Sequence, residues 1–174
     1  MLTYAPDTLV TTYLEMTNPK QFKPAFNYDD DIAIERMNTV DLGFYLYMYQ
    51  SVGEDCCWRD RLVMPKSELR SILTKSTTQV FVLYVQGAPA GYVELNQQGA
   101  ATEIAYFGLR KEYQGRGLGK HLLSYGIKKA WELGAERVWL HTCNLDGPYA
   151  MSNYQKRGFR PYKTEHEVMP ELYQ

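Results

Sequence analysis

Long apolar runs are missing from this chain. Its longest are a handful of residues, such as Val80-Phe81-Val82-Leu83-Tyr84-Val85, far short of the ~20 needed to cross a bilayer, so no transmembrane helix is expected. The opening residues, Met1-Leu2-Thr3-Tyr4-Ala5-Pro6-Asp7, lack a basic region followed by an apolar one, so no secretory signal is expected either. Cysteine is scarce. There are three, and Cys56 and Cys57 are neighbours; an odd number cannot all pair and adjacent cysteines rarely bridge, which argues against a disulfide framework and for a reducing, cytoplasmic setting. Histidines are equally few: His121, His141 and His166 fall on different elements and form no set at zinc spacing, so no metal is expected. An excess of one charge is also absent, with 19 basic against 20 acidic residues and a net charge of -1, which removes a general electrostatic reason to bind nucleic acid. The local acidic run Asp29-Asp30-Asp31 reads as a solvated turn.

What is present fits one globular domain over residues 1–174, with 22% charged and 45% hydrophobic residues and enough length to bury a core. Leu9 to Met16 and Ile32 to Met37 read as strands. Asp41 is placed to cap a helix through Phe44-Tyr45-Leu46-Tyr47-Met48-Tyr49, apolar all round, and Pro65 opens a short helix over residues 67–73. Val80 to Val85 and Ala90 to Leu95 form a hairpin across Gln86-Gly87-Ala88-Pro89, followed by a strand at Glu103 to Leu109. Leu118, Leu122, Leu123, Ile127, Ala130 and Trp131 recur at helical spacing, and Gly134 stands where a helix ends. A strand at Val138 to His141, a helix at Pro148 to Arg157 and an extended arm at Phe159 to Val168 complete an α/β (α+β) domain, three layers around a mixed sheet.

The chemistry concentrates in Tyr113-Gln114-Gly115-Arg116-Gly117-Leu118-Gly119-Lys120, with three glycines in five positions. A glycine-rich turn opening a helix leaves backbone N–H groups unpaired at the positive end of the helix dipole, which suits phosphate. Spacing separates the possible phosphate loops. A nucleotide-binding P-loop would need a glycine further upstream and Ser or Thr where His121 stands, and the dinucleotide pattern G-x-G-x-x-G fits neither start. The pattern Q-x-x-G-x-G does fit, on Gln114, Gly117 and Gly119.

This loop, the strand Glu103-Ile104-Ala105-Tyr106-Phe107-Gly108-Leu109 before it, and the downstream Ala150-x-x-x-Tyr154-x-x-x-Gly158-Phe159 together resemble the GNAT N-acetyltransferase superfamily over roughly residues 79–160. The resemblance implies a three-layer α/β/α domain around a mostly antiparallel sheet, in which residues 1–75 supply N-terminal strands and acceptor-side helices. It implies acetyl transfer from acetyl-CoA to a primary amine by direct attack, without a metal. A small amine or amino acid is favoured over a protein as acceptor, given the neutral overall charge, and a homodimer is left open. Gln114, Gly115, Arg116, Gly117, Leu118, Gly119 and Lys120 would hold the pyrophosphate. The backbone of Phe107, Gly108 and Leu109 would pair with pantetheine as an added strand, and Asn144 would touch the cofactor. Tyr154 would be the general acid for the leaving thiol. Glu103 is the preferred base, with Glu94 as its rival; strand alternation puts Glu103, Ala105 and Phe107 on one face and Ile104 and Tyr106 on the other. Cys143 reads as core. The polar loop Val52 to Arg61 is either a specificity loop or a core plug through Trp58. The alternative function is a CoA-binding sensor without turnover.

Overall fold

The computed structural model describes residues 6–174. In chain order the elements are β1 (Thr8–Met16), β2 (Ile32–Arg36), α1 (Leu42–Gly53), α2 (Asp60–Val63), α3 (Lys66–Thr74), β3 (Thr78–Val85), β4 (Ala88–Gln98), β5 (Ala101–Leu109), α4 (Leu118–Glu132), β6 (Arg137–Cys143), α5 (Ala150–Lys156) and β7 (Arg160–Val168). The strands form one sheet in the order β2-β3-β4-β5-β6-β1-β7. Its pairs are antiparallel except β5 with β6, and that parallel pair is joined through α4, as a crossover requires. The fold is the expected mixed, mostly antiparallel sheet between helical layers.

Local chemistry explains most element ends. The Asp41 side chain accepts from the Phe44 amide at 2.9 Å and starts α1. In the β3–β4 hairpin the turn is only Gln86-Gly87, with φ of 49° and 81°, so Ala88 and Pro89 belong to the strand rather than to a four-residue turn. The apolar run of β3 is continuous because both its faces are covered. Val80 and Val82 pack with Tyr45, Met48, Tyr49, Leu69 and Leu73 of α1 and α3. Phe81 and Leu83 pack on the opposite layer with Leu122, Leu123 and Ile127 of α4. The all-round apolarity of α1 is thus a matter of burial.

The N-terminal strand does not pair with β2. β1 lies between β6 and β7, antiparallel to both, so it belongs with the C-terminal strands. The residues after it return across the molecule along α4 and α5. Asn18 caps a short 3-10 turn, the Ala25 amide donates to Ser124 Oγ at 2.9 Å, and the Asn27 amide donates to His121 Nδ1 at 2.9 Å. A histidine that accepts at Nδ1 is neutral there, and its burial pushes its pKa down in the same sense.

Gly158 pins this strap to α5. Its φ is 108°, and a Cβ would stand 1.9 Å from the Gln21 carbonyl oxygen. Gly158→Ala should therefore destabilise the fold by at least about 1–3 kcal/mol, read as a lower urea midpoint. An unchanged midpoint would mean the strap can leave α5 without cost.

Candidate active site

The site begins where two strands part. β5 and β6 pair over Ala101↔Arg137, Thr102↔Val138 and Glu103↔Trp139 and no further, while β6 continues its ladder with β1 as far as Cys143. Beyond Glu103 the edge of β5 that faces β6 is therefore open. The gap is the waist of a cleft of about 770 Å³ that runs through the sheet and is lined by Phe107, Gly108 and Leu109 on one side and Leu140, His141 and Cys143 on the other.

One end of the cleft meets the start of α4. Gly115 and Gly117 adopt φ of 73° and 74°, a region that costs other residues steric strain. Among the described residues the amides of Gly115, Arg116 and Gly117 have no acceptor, and α4 has no side-chain cap. Such a concavity of free N–H groups at a helix start suits a diphosphate. A Cβ on Gly119 would stand in ordinary contact with Leu109, Asn153 and Phe107, all of them lining the cleft. Gln114, Gly115, Gly117, Gly119 and Lys120 line the cleft, but Arg116 and Leu118 do not. The Leu118 side chain is buried in the α4 core, and the Arg116 guanidinium lies 5.5 Å over the Tyr113 ring.

Asn144 corrects the sequence expectation more fully. Its Nδ2 donates to the Thr8 carbonyl and its Oδ1 accepts from the Val10 amide, both at 3.0 Å. These bonds fasten β1 to the end of β6 and leave Asn144 outside the cleft. Asn153, one residue before Tyr154, does line it, as do Asn96 and Gln114.

Tyr154 projects from α5 into the waist, its ring 6.2 Å from Phe107 and 6.3 Å from Phe159. Its hydroxyl has no hydrogen-bond partner among the described residues, and burial pushes its pKa well above the ordinary tyrosine value. The phenol is protonated throughout the useful pH range. Cys143 and Cys56 also line the cleft; burial pushes both thiols up, that of Cys56 to about 11, so neither is a ready thiolate nucleophile.

The two glutamates differ sharply. Glu94 is 1% exposed, and both its oxygens are engaged: the Tyr45 hydroxyl donates to Oε1 at 2.5 Å and Arg61 Nη2 donates to Oε2 at 3.0 Å. Glu103 is 13% exposed. Its Oε2 accepts from Gln98 Nε2 at 3.0 Å, and its Oε1 stands 3.9 Å from His141 Nε2. Burial raises the pKa of Glu103, opposed first by the field of His141.

Strand alternation misplaces Glu103 because β5 carries a bulge. Glu94 opposes Tyr106 and Leu95 opposes Ile104, so Ala105 is an extra residue that reverses the faces beyond it. Glu103 opposes Asn96 and shares a face with Glu94 and Tyr106, whereas Phe107 packs with Ile104 in the α4 core. The base candidate and the Phe107 side chain thus lie on opposite faces.

The Val52 to Arg61 stretch forms another wall of the cleft. Trp58 packs 5.2 Å from Tyr106 and 5.4 Å from Tyr49, so it is a core plug and a cleft wall at once. Asp60 is exposed to water, as expected, yet also lines the cleft, and it accepts from the Tyr173 hydroxyl at 3.0 and 3.1 Å.

A family model described as "Acetyltransferase (GNAT) family" matches residues 45–159, more than half of the chain. The chain belongs to the GNAT acetyltransferase family. It is 34% identical over 76 residues to "Uncharacterized N-acetyltransferase YvbK" of Bacillus subtilis (strain 168), covering 44% of this chain and 48% of that protein. It is 39% identical over 60 residues to a mycothiol acetyltransferase of Corynebacterium aurimucosum, covering 34% of this chain and 19% of that one. The matches therefore span less than half the length of these curated relatives. Among solved structures, a GCN5-related N-acetyltransferase from Sphaerobacter thermophilus superposes with a TM-score of 0.67 at 16% identity, covering 94% of this chain and 52% of that one. At that identity the likeness speaks to fold.

Within this GNAT chain, sequence reasoning missed Asn153, Tyr106, His141 and Tyr173 as cleft residues and placed Arg61 there only as part of the Val52 to Arg61 loop. Asn153 could have been found, because it neighbours Tyr154 on α5. Tyr173 carried no signal, since its partner Asp60 is distant in sequence.

Arg61 and Glu94 make a buried ion pair, 11% and 1% exposed. Removing one partner strands a charge, so Arg61→Ala should cost about 3–5 kcal/mol, and the double replacement Arg61→Met with Glu94→Leu should recover much of it. Chemical denaturation of the two variants checks this; equal losses in the single and double variants would refute the coupling.

Proposed function

We propose that this chain transfers an acetyl group from acetyl-CoA to a primary amine, with a small amine or an amino acid as acceptor in preference to a protein. The observation that carries the reading is that one cleft joins an amide-lined, glycine-rich helix start, an open strand edge and a protonated tyrosine. Acetyl-CoA supplies the thioester; the chain's own residues supply binding and proton management.

In this reading the free amides of Gly115, Arg116 and Gly117, with Lys120 beside them, bind the pyrophosphate. The open edge of β5 from Phe107 to Leu109 holds pantetheine by strand-like hydrogen bonds. An alkylammonium titrates near 10, so a base is needed to free the attacking amine, while a thiol near 8.5 leaves with modest help. Glu103 is the base. Its burial raises its proton affinity toward the working range, whereas the oxygens of Glu94 are already taken by Tyr45 and Arg61. Tyr154, kept protonated by burial, donates to the departing sulfur. A cytoplasmic setting belongs to the same reading, because Cys56, Cys57 and Cys143 are all free thiols.

Two measurements bear on it. Gly117→Asp places a carboxylate where phosphate must sit, so calorimetry should show CoA affinity collapsing in a folded variant; unchanged affinity refutes the loop assignment. Tyr154→Phe removes one hydroxyl and little volume, so it should keep CoA affinity and lower turnover ~10²–10⁴-fold. Turnover within a few-fold of the parent would leave Tyr154 as a packing residue, and a chain that binds CoA yet acetylates no amine would be a sensor.

A further inference from the structure

The cleft holds a histidine that the proposed roles leave unused, and it stands beside the base. His141 lies two residues beyond Trp139, on the same face of β6, at the point where β5 and β6 part. Its imidazole lines the cleft and is 48% exposed, while Glu103, with Oε1 3.9 Å from His141 Nε2, is 13% exposed.

The geometry points to His141 as the proton-accepting partner of Glu103: the ammonium proton of the acceptor passes to the Glu103 carboxylate, then to the imidazole, which releases it to solvent. This rests on the reading of Glu103 as base. Each turnover converts a protonated amine and a thioester into an amide, a thiol and one free proton. The amine gives up two protons in all: one goes to the departing sulfur by way of Tyr154, and the other is the proton that must leave the cleft.

Orientation supports this route. Gln98 Nε2 holds Glu103 Oε2, and Trp139 Nε1 donates at 3.2 Å to Gln98 Oε1. That chain fixes one carboxylate oxygen and leaves Oε1 toward His141. The Tyr13 ring lies 5.7 Å from the imidazole and steadies its other side. The separation of 3.9 Å exceeds a hydrogen bond, so transfer needs a small rotation of the half-exposed imidazole or one bridging water. The other ionisable groups facing Glu103 are Arg61 from α2 and Glu94 from β4. They are committed to each other and buried, so neither leads a proton outward. Histidine is also the side chain whose ordinary charge change lies nearest neutrality.

The test compares His141→Gln, His141→Ala and Glu103→Gln in acetyl transfer to an accepted amine, with CoA affinity and thermal midpoint measured alongside. Both His141 variants should fold, bind CoA as the parent does, and lose ~10²-fold in kcat/KM for the amine. His141 opposes the burial that raises the Glu103 pKa, so its removal should move the acidic limb of the pH profile to higher pH. Added imidazole should restore the His141→Ala rate in proportion to its basic form, a response that a purely structural role would not show. A loss within a few-fold, an unmoved limb or no rescue, with Glu103→Gln inactive, overturns the role of His141 alone. If Glu103→Gln keeps its activity, the base assignment falls and this inference falls with it.

Discussion

The separation of two parallel strands after three paired residues is the constraint on which the rest depends. A sheet that stayed zipped between β5 and β6 would satisfy its own backbone groups and leave nothing to recognise. Parting them exposes a strand edge inside the protein, and this is tolerable only because both strands are held on their far sides. β4 holds β5 along most of its length, and β1 holds β6 up to Cys143. The unusual position of β1 is thus part of the site's mechanics, and Asn144 fastens it there through both polar atoms of its side chain.

The two faces beside the gap are chemically different, and the bulge at Ala105 keeps them so. On the α4 side Phe107 packs against Tyr154 and the helix whose N-terminus presents the glycine loop. On the α1 side lies a layer of Tyr45, Tyr49, Trp58, Tyr92 and Tyr106 around the Arg61–Glu94 pair. Aromatic rings with polar tips suit that position, since they supply apolar area while leaving a hydroxyl for the buried carboxylate. Glu94 is therefore a ligand of the protein's own groups. Glu103, farther along the same face and less enclosed, is left to deal with what enters from solvent. Two glutamates that look alike as letters are separated in role by the number of partners each has.

Much was legible in the sequence wherever the signal was local. The helix start at the glycine loop, the helical recurrence of Leu122, Leu123 and Ile127 and the capping aspartate at Asp41 each depend on neighbours within a few residues, and each appears as expected, while the β3–β4 turn is shorter by two residues. Errors arose where one residue changed the count. A single bulge at Ala105 reversed the face assignment for Glu103 and Phe107. Asn144 was expected at the cofactor because of its place after a strand, but the neighbouring strand is β1, and its free carbonyl and amide claim the side chain.

By itself the sequence determined the class of fold, the glycine-rich helix start and the family, because glycine conformations and hydrophobic periodicity act over short distances. Only the tertiary structure decided the order of the strands, where the sheet opens, which glutamate is saturated and which has a histidine beside it. Those outcomes depend on pairings between residues far apart in the chain, such as Arg61 with Glu94, Tyr173 with Asp60 and Glu103 with His141. No local pattern encodes them, since each partner would read as an ordinary polar residue until the fold brings the other within reach.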